Sequence, residues 1–161
     1  MNNPPAEESL DPADWEAMRR LAHQAIDDGF DHLQHVRERP VWQPVPDRVV
    51  ARLREPAPRL PQGAESAYRE FKEIVMPFSM GNTHPRFWSW FMGNGTPFAA
   101  VGDFLAAVLN PNMGGGNHVP NHVEAQVVDW CKEISGFPAE ASGLLVSGGS
   151  MANFVGLAVA R

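Results

Sequence analysis

Apolar side chains recur along the first part of the chain at helical spacing. From Asp11 to about Arg39, Trp15, Met18, Leu21, Ala22, Ala25 and Ile26, then Phe30 and Leu33, predict an amphipathic helix, with Asp11 as its N-cap ahead of Pro12. Asp28-Gly29 is a candidate interruption, and Pro40 is the predicted stop. Between Pro40 and Pro61 the prolines at 40, 44, 46, 56, 58 and 61 remove too many N–H donors for a sheet. That stretch reads as an extended arm around one short helix, Asp47 to Arg54. Tyr68, Phe71, Ile74 and Val75 form one stripe of a further helix over 64–75, which Pro77 closes.

The pattern changes near residue 75. Beyond it the chain is rich in glycine and aromatic residues: Met80-Gly81-Asn82-Thr83-His84-Pro85-Arg86, then Phe87, Trp88, Trp90 and Phe91, then Met92-Gly93-Asn94-Gly95. Three of the four rings are expected to face a core, and the flanking glycines to allow close approach of another backbone or a ligand. A helix is predicted over about Pro97 to Leu109. After a glycine-rich loop, Asn110 to Val119, another runs from about Pro120 to Ser135, with Val123, Val127, Trp130, Cys131 and Ile134 on one face and Gly136-Phe137-Pro138 as its stop. The chain then reads as a short buried strand over 143–147, a Gly148-Gly149-Ser150 turn and an apolar helix. Two regions result: a helical, proline-punctuated arm, 1–75, and a second part, 76–161.

Composition narrows the class. The 161 residues are 43% hydrophobic and 20% charged, ordinary for a soluble globular chain. No run approaches the roughly 20 apolar residues that span a bilayer, and Met1-Asn2-Asn3-Pro4-Pro5 has no signal-peptide pattern. The expectation is a cytoplasmic protein with no membrane partner. A net charge of −6 with scattered arginines speaks against nucleic acid. The single cysteine, Cys131, excludes an internal disulfide framework and reads as a small helix side chain.

Most candidate chemistry falls away. His118 and His122 have the i, i+4 spacing of a zinc pair, but Pro120 lies between them and no Glu follows His118, so no metal is expected. Ser147-Gly148-Gly149-Ser150 is not a nucleophile elbow, and no Walker lysine is present. The order strand, Gly-Gly-Ser, helix instead presents backbone N–H groups and the positive end of a helix dipole to an anion, most often a phosphate. A plain turn capped by Ser150 is the alternative.

Taken together, His84-Pro85-Arg86-Phe87, the Glu124 to Trp130 helix with Val127-Val128-Asp129-Trp130, and Ser147-Gly148-Gly149-Ser150-Met151-Ala152-Asn153 resemble the group II pyridoxal-phosphate-dependent amino acid decarboxylases. The resemblance runs over nearly the whole chain, including the arm with Val45-Pro46-Asp47. It implies an α/β fold of the aspartate-aminotransferase type (fold type I), incomplete here and preceded by a helical dimerisation arm. It further implies pyridoxal phosphate as cofactor, an amino acid as substrate and a homodimer.

Carried over residue by residue, the resemblance makes Gly149 and Ser150 the cofactor-phosphate cradle. It places Met92 and Gly93 along the substrate pocket, and Asn110 and Asn112 in a loop that reaches a neighbouring subunit's site. Related aromatic decarboxylases carry apolar or ring side chains in that loop, so the two asparagines speak against an aromatic substrate. In such proteins the Schiff-base lysine, the aspartate against the pyridine nitrogen and the stacked histidine come after the phosphate loop. Lys72 and Lys132 do not match that context. The expectation is the N-terminal portion of a decarboxylase with no catalytic residue of its own, inactive alone; the alternative is a non-catalytic remnant that binds a phosphorylated ligand or pairs with a decarboxylase subunit.

Overall fold

The computed structural model describes residue 9 and residues 11–161, and among them every regular element is helical. In chain order these are α1 (Trp15–Gln34), α2 (Asp47–Leu53), α3 (Ala64–Glu70), α4 (Pro97–Leu109), α5 (Val119–Ser135) and α6 (Gly149–Ala160). The chain divides into two compact units, Met1–Val101 and Gly102–Arg161, so the division falls inside α4.

In the first unit α1 starts later than the sequence predicts. Its N-cap is Asp14 and not Asp11: the Asp14 carboxylate accepts from the N–H groups of Glu16 at 2.9 Å and Ala17 at 3.0 Å, which holds its pKa below the usual carboxylate value. Asp28-Gly29 does not break the helix. It runs on to Gln34, and a 3₁₀ turn, Val36–Glu38, leads out before Pro40. Propensity alone marks Gly29 as weak, but one glycine costs only about 1 kcal/mol within a long helix, and flanking turns absorb that.

Helix α3 continues through a wide π turn, Phe71–Val75, into a 3₁₀ turn, Met76–Phe78. It is fixed to α1 by Tyr68 and Lys72. The Tyr68 hydroxyl donates to Asp28 Oδ2 at 2.6 Å, and Lys72 Nζ lies 2.7 Å from the same oxygen. Arg52 on α2 pairs with Glu55 and, through Nε at 2.7 Å, with Glu70 on α3. Val49, on α2, is the fully buried apolar side chain among the described residues.

The segment after the π turn folds back on the arm. Gln43 Nε2 donates to the Pro77 carbonyl at 2.8 Å, and Gly81, at φ +81°, passes so close to Val41 that a Cβ there would lie 1.7 Å from the Val41 carbonyl oxygen. Close backbone approach is thus the use of the first glycine in this stretch. The ring run behaves otherwise than expected: Phe87 is half-buried, with its ring 6.0 Å from that of Trp90, whereas Trp88, Trp90 and Phe91 stand exposed. Among the described residues of this unit no apolar layer covers them.

In the second unit α5 spans one residue more than predicted at its start and ends at Gly136, φ +69°, in a Schellman motif. The Phe137 N–H reaches the Lys132 carbonyl at 2.9 Å and the Gly136 N–H reaches that of Glu133 at 3.2 Å. The packed face of α5 shares only Val127 with the predicted stripe. Glu124, Val127, Val128 and Lys132 are half-buried, while Val123, Trp130, Cys131 and Ile134 are exposed. Polar reach sets this face: Lys132 Nζ donates to the carbonyls of Ala139 (2.9 Å) and Ala141 (3.0 Å), and Glu124 Oε1 accepts the Leu145 N–H at 3.1 Å. Gly143 slides past Val128, whose Cγ1 lies 3.0 Å from where a Cβ would stand.

The strand predicted over 143–147 is absent, so an α/β architecture is not formed within the described residues. A single extended segment pairs its N–H and C=O groups only with a second one, and none lies beside this run. The Leu145 N–H is taken by a side chain instead.

Candidate functional site

The turn before α6 is built for conformation first. Gly148 is the N-cap at φ +98°, a backbone region that disfavours any Cβ, and its N–H closes a tight turn on the Val146 carbonyl at 2.9 Å. No side chain caps this helix, so Ser150 does not play the capping role that a plain turn would give it. It sits inside the first turn. The first bond that closes α6 is Ala152 N–H to Gly148 C=O at 3.1 Å. The N–H groups of Gly149, Ser150 and Met151 thus precede the helical ladder and face outward at the positive end of a helix of 12 residues.

Nothing lies within 4 Å of a Cβ built on Gly148 or Gly149, and Gly149 and Ser150 are exposed. Backbone donors, one hydroxyl and open space are what a phosphate dianion requires. The residues present therefore fit a cofactor phosphate. Sequence reasoning named the Gly148-Gly149-Ser150 turn and carried only Gly149 and Ser150 over as the cradle; the positive φ and the cap without a side chain belong to Gly148.

The asparagines of the 110–118 loop have local work. Asn110 stands at φ +40°, a left-handed position that asparagine tolerates better than most residues. The Asn112 Oδ1 accepts the Gly114 N–H at 3.0 Å, and the Asn112 carbonyl takes the Gly115 N–H and the His118 ring Nε2, both at 3.0 Å. His122 turns instead to Asn117 Oδ1 at 2.8 Å, so the two histidines engage different partners. No hydrogen bond joins this loop to the 148–151 turn among the described residues.

Met92 and Gly93 lie in the other unit, in an exposed, irregular segment just before α4. Both lysines are occupied. Lys72 pairs with Asp28 and stands 5.9 Å from the centre of the Tyr68 ring, and Lys132 is held by Ala139, Ala141 and, at 2.7 Å, Asp129.

Known proteins resemble this chain. The family described as "Pyridoxal-dependent decarboxylase conserved domain" matches residues 46–161. The chain is 32% identical to an aromatic-L-amino-acid decarboxylase of Bacillus atrophaeus over 149 residues, which is 91% of this chain and 31% of that protein. It is 27% identical to tyrosine decarboxylase 2 of Narcissus pseudonarcissus, over 96% of this chain and 33% of that one.

Among solved structures, tryptophan decarboxylase of Catharanthus roseus in complex with L-tryptophan superposes with a TM-score of 0.64 at 25% identity, over 80% of this chain and 28% of that one. Oryza sativa TDC with PLP and tryptamine gives 0.65 at 22% identity, over 81% and 28%, a likeness of fold. The chain spans about a third of the length of the curated relatives it matches.

Proposed function

The chain belongs to the pyridoxal-dependent decarboxylase family, and from that premise we propose that it forms the first part of a pyridoxal-phosphate-dependent decarboxylase of aromatic amino acids. The observation that carries the reading is the open first turn of α6, where Gly149 and Ser150 offer N–H groups and a hydroxyl to a phosphate without competition from a capping side chain. When bound, pyridoxal phosphate supplies a ring that takes up the electron pair left as the substrate carboxylate departs as carbon dioxide. The residues of this chain hold and orient: Gly148 shapes the turn, and Gly149 and Ser150 fix the phosphate end.

The aromatic substrate class rests on the relatives. The objection raised by Asn110 and Asn112 loses its force, because a left-handed turn and a side chain bonded to Gly114 account for asparagine at both positions. The occupied lysines support a cofactor-linking lysine supplied outside residues 1–161. In the same reading, the 143–147 run is a strand wherever a neighbouring strand is present to pair with it. The exposed Trp88, Phe91 and Phe98 are covered in a homodimer.

The test is to reconstitute the protein that carries this chain with pyridoxal phosphate and to follow carbon dioxide release from L-tyrosine, L-tryptophan and L-glutamate. Release from the aromatic pair supports the reading. Bound cofactor with no release from any amino acid overturns the reaction, and no bound cofactor overturns the site.

A further inference from the structure

Glu124, Val128 and Lys132 follow one another at four-residue steps on α5 and so lie along one face of the helix. Each meets the segment that leads to the 148–151 turn. Lys132 Nζ donates to the Ala141 carbonyl at 3.0 Å, Val128 Cγ1 packs on Gly143, and Glu124 Oε1 accepts the Leu145 N–H at 3.1 Å. The order is antiparallel, and on the segment the contacts fall at every second residue.

The two spacings fit each other. Four residues of helix rise about 6.0 Å, and two residues of extended chain span about 6.6 Å. A segment laid along this face therefore stays in register with it. A slip of one residue would break both hydrogen bonds, since neighbouring N–H and C=O groups of an extended chain face opposite sides.

Glu124 is the last of these anchors before the turn. One residue beyond Leu145, the Val146 carbonyl accepts the Gly148 N–H at 2.9 Å and closes the turn in which Gly148 stands at φ +98°. The Glu124 side chain is half-buried, and a carboxylate bonded to a backbone N–H is held more strongly than a neutral acceptor. It engages one edge of the 143–147 run and leaves the N–H groups of Leu144 and Val146, on the other edge, for a neighbouring strand.

We infer that Glu124 is a positioning residue for the cofactor phosphate: through Leu145 it fixes where the N–H groups of Gly149 and Ser150 stand. The inference rests on the phosphate site proposed for Gly149 and Ser150.

The experiment uses the protein that carries this chain, titrated with pyridoxal phosphate by absorbance and followed by the ³¹P signal of the bound phosphate. Glu124→Ala removes the acceptor and should weaken cofactor binding by about tenfold and move the ³¹P signal. Glu124→Gln keeps a carbonyl oxygen at the same reach and should restore both to near the unaltered protein's values. Coupling is reciprocal, so in the unaltered protein the Leu145 amide should exchange its hydrogen more slowly once the cofactor is bound. That measurement needs no variant and decides the matter even where Glu124→Ala does not fold. Unchanged affinity and ³¹P signal in Glu124→Ala, binding by Glu124→Gln as weak as by Glu124→Ala, or no slowing at Leu145 would overturn the positioning role and leave the phosphate site standing. No cofactor bound by the unaltered protein would overturn the phosphate site, and this role with it.

Discussion

Gly81 and Val41 touch backbone to backbone: a Cβ on Gly81 would stand 1.7 Å from the Val41 carbonyl oxygen. Gly81→Ala therefore adds a clash with an immobile group to the strain of φ +81°. The expected loss is more than about 2 kcal/mol of stability, seen as a lower midpoint in urea. Gly63→Ala is the control. It has nearly the same φ, +82°, but open space around it, and should lose less than Gly81→Ala, about 1–3 kcal/mol from backbone strain alone. Equal losses at the two sites would show that the contact with Val41 does not matter.

The link between α1 and α3 has an optical reporter, because Tyr68 is the chain's single tyrosine. Burial, then its bond to Asp28, push its hydroxyl up to about 12. Ultraviolet titration should find phenolate forming near that value, and Asp28→Asn should bring it down.

Acid should weaken the same link. The bond from Lys72, then that from Tyr68, hold the Asp28 carboxyl below its usual value of 3.8. A folded-state pKa lowered in this way contributes stability that is present above 3.8 and lost as pH falls through the folded value. Asp28→Asn should flatten that limb of the stability-versus-pH curve. An unchanged curve would show that the clamp adds nothing.

His32 acts at milder pH. Its folded pKa lies below 6.5, so between the two values the unfolded chain binds more protons, and stability rises with pH there. Unfolding free energy should thus fall as pH drops below about 6.5. His32→Asn should remove that part of the fall, as read from urea midpoints between pH 5 and about 7.5.

Ser150→Ala should weaken binding of pyridoxal phosphate to the protein that carries this chain by about tenfold or more, because it removes one hydrogen bond to a dianion. Ser147→Ala should have no such effect. Cofactor titration by absorbance separates the two.

The helices were legible from spacing, as α2, α4 and the run from 64 to 75 show, because apolar period and proline placement are local signals. The faces were less legible. On α5 the apolar stripe with Val123, Trp130 and Ile134 points away from the packing that Lys132 and Glu124 create, and such reach depends on what a distant segment brings near. The start of α1 was missed because Asp11 and Asp14 are equally good caps on paper, and only the conformation of Asp14 decides between them. Near the candidate site, the glycine turn ahead of α6 could be read from its order in the chain.

The π turn at Phe71–Val75 shifts the register of the chain around it. A π turn is an α-helix carrying an extra residue, so the register before it and after it differs by one position. Relatives built with a regular helix here would align with a single-residue gap between Tyr68 and Pro77. Shortening the helix by one residue within 71–75 would reset the direction in which Met76-Pro77 leaves it, and with it the reach of Gln43 to the Pro77 carbonyl.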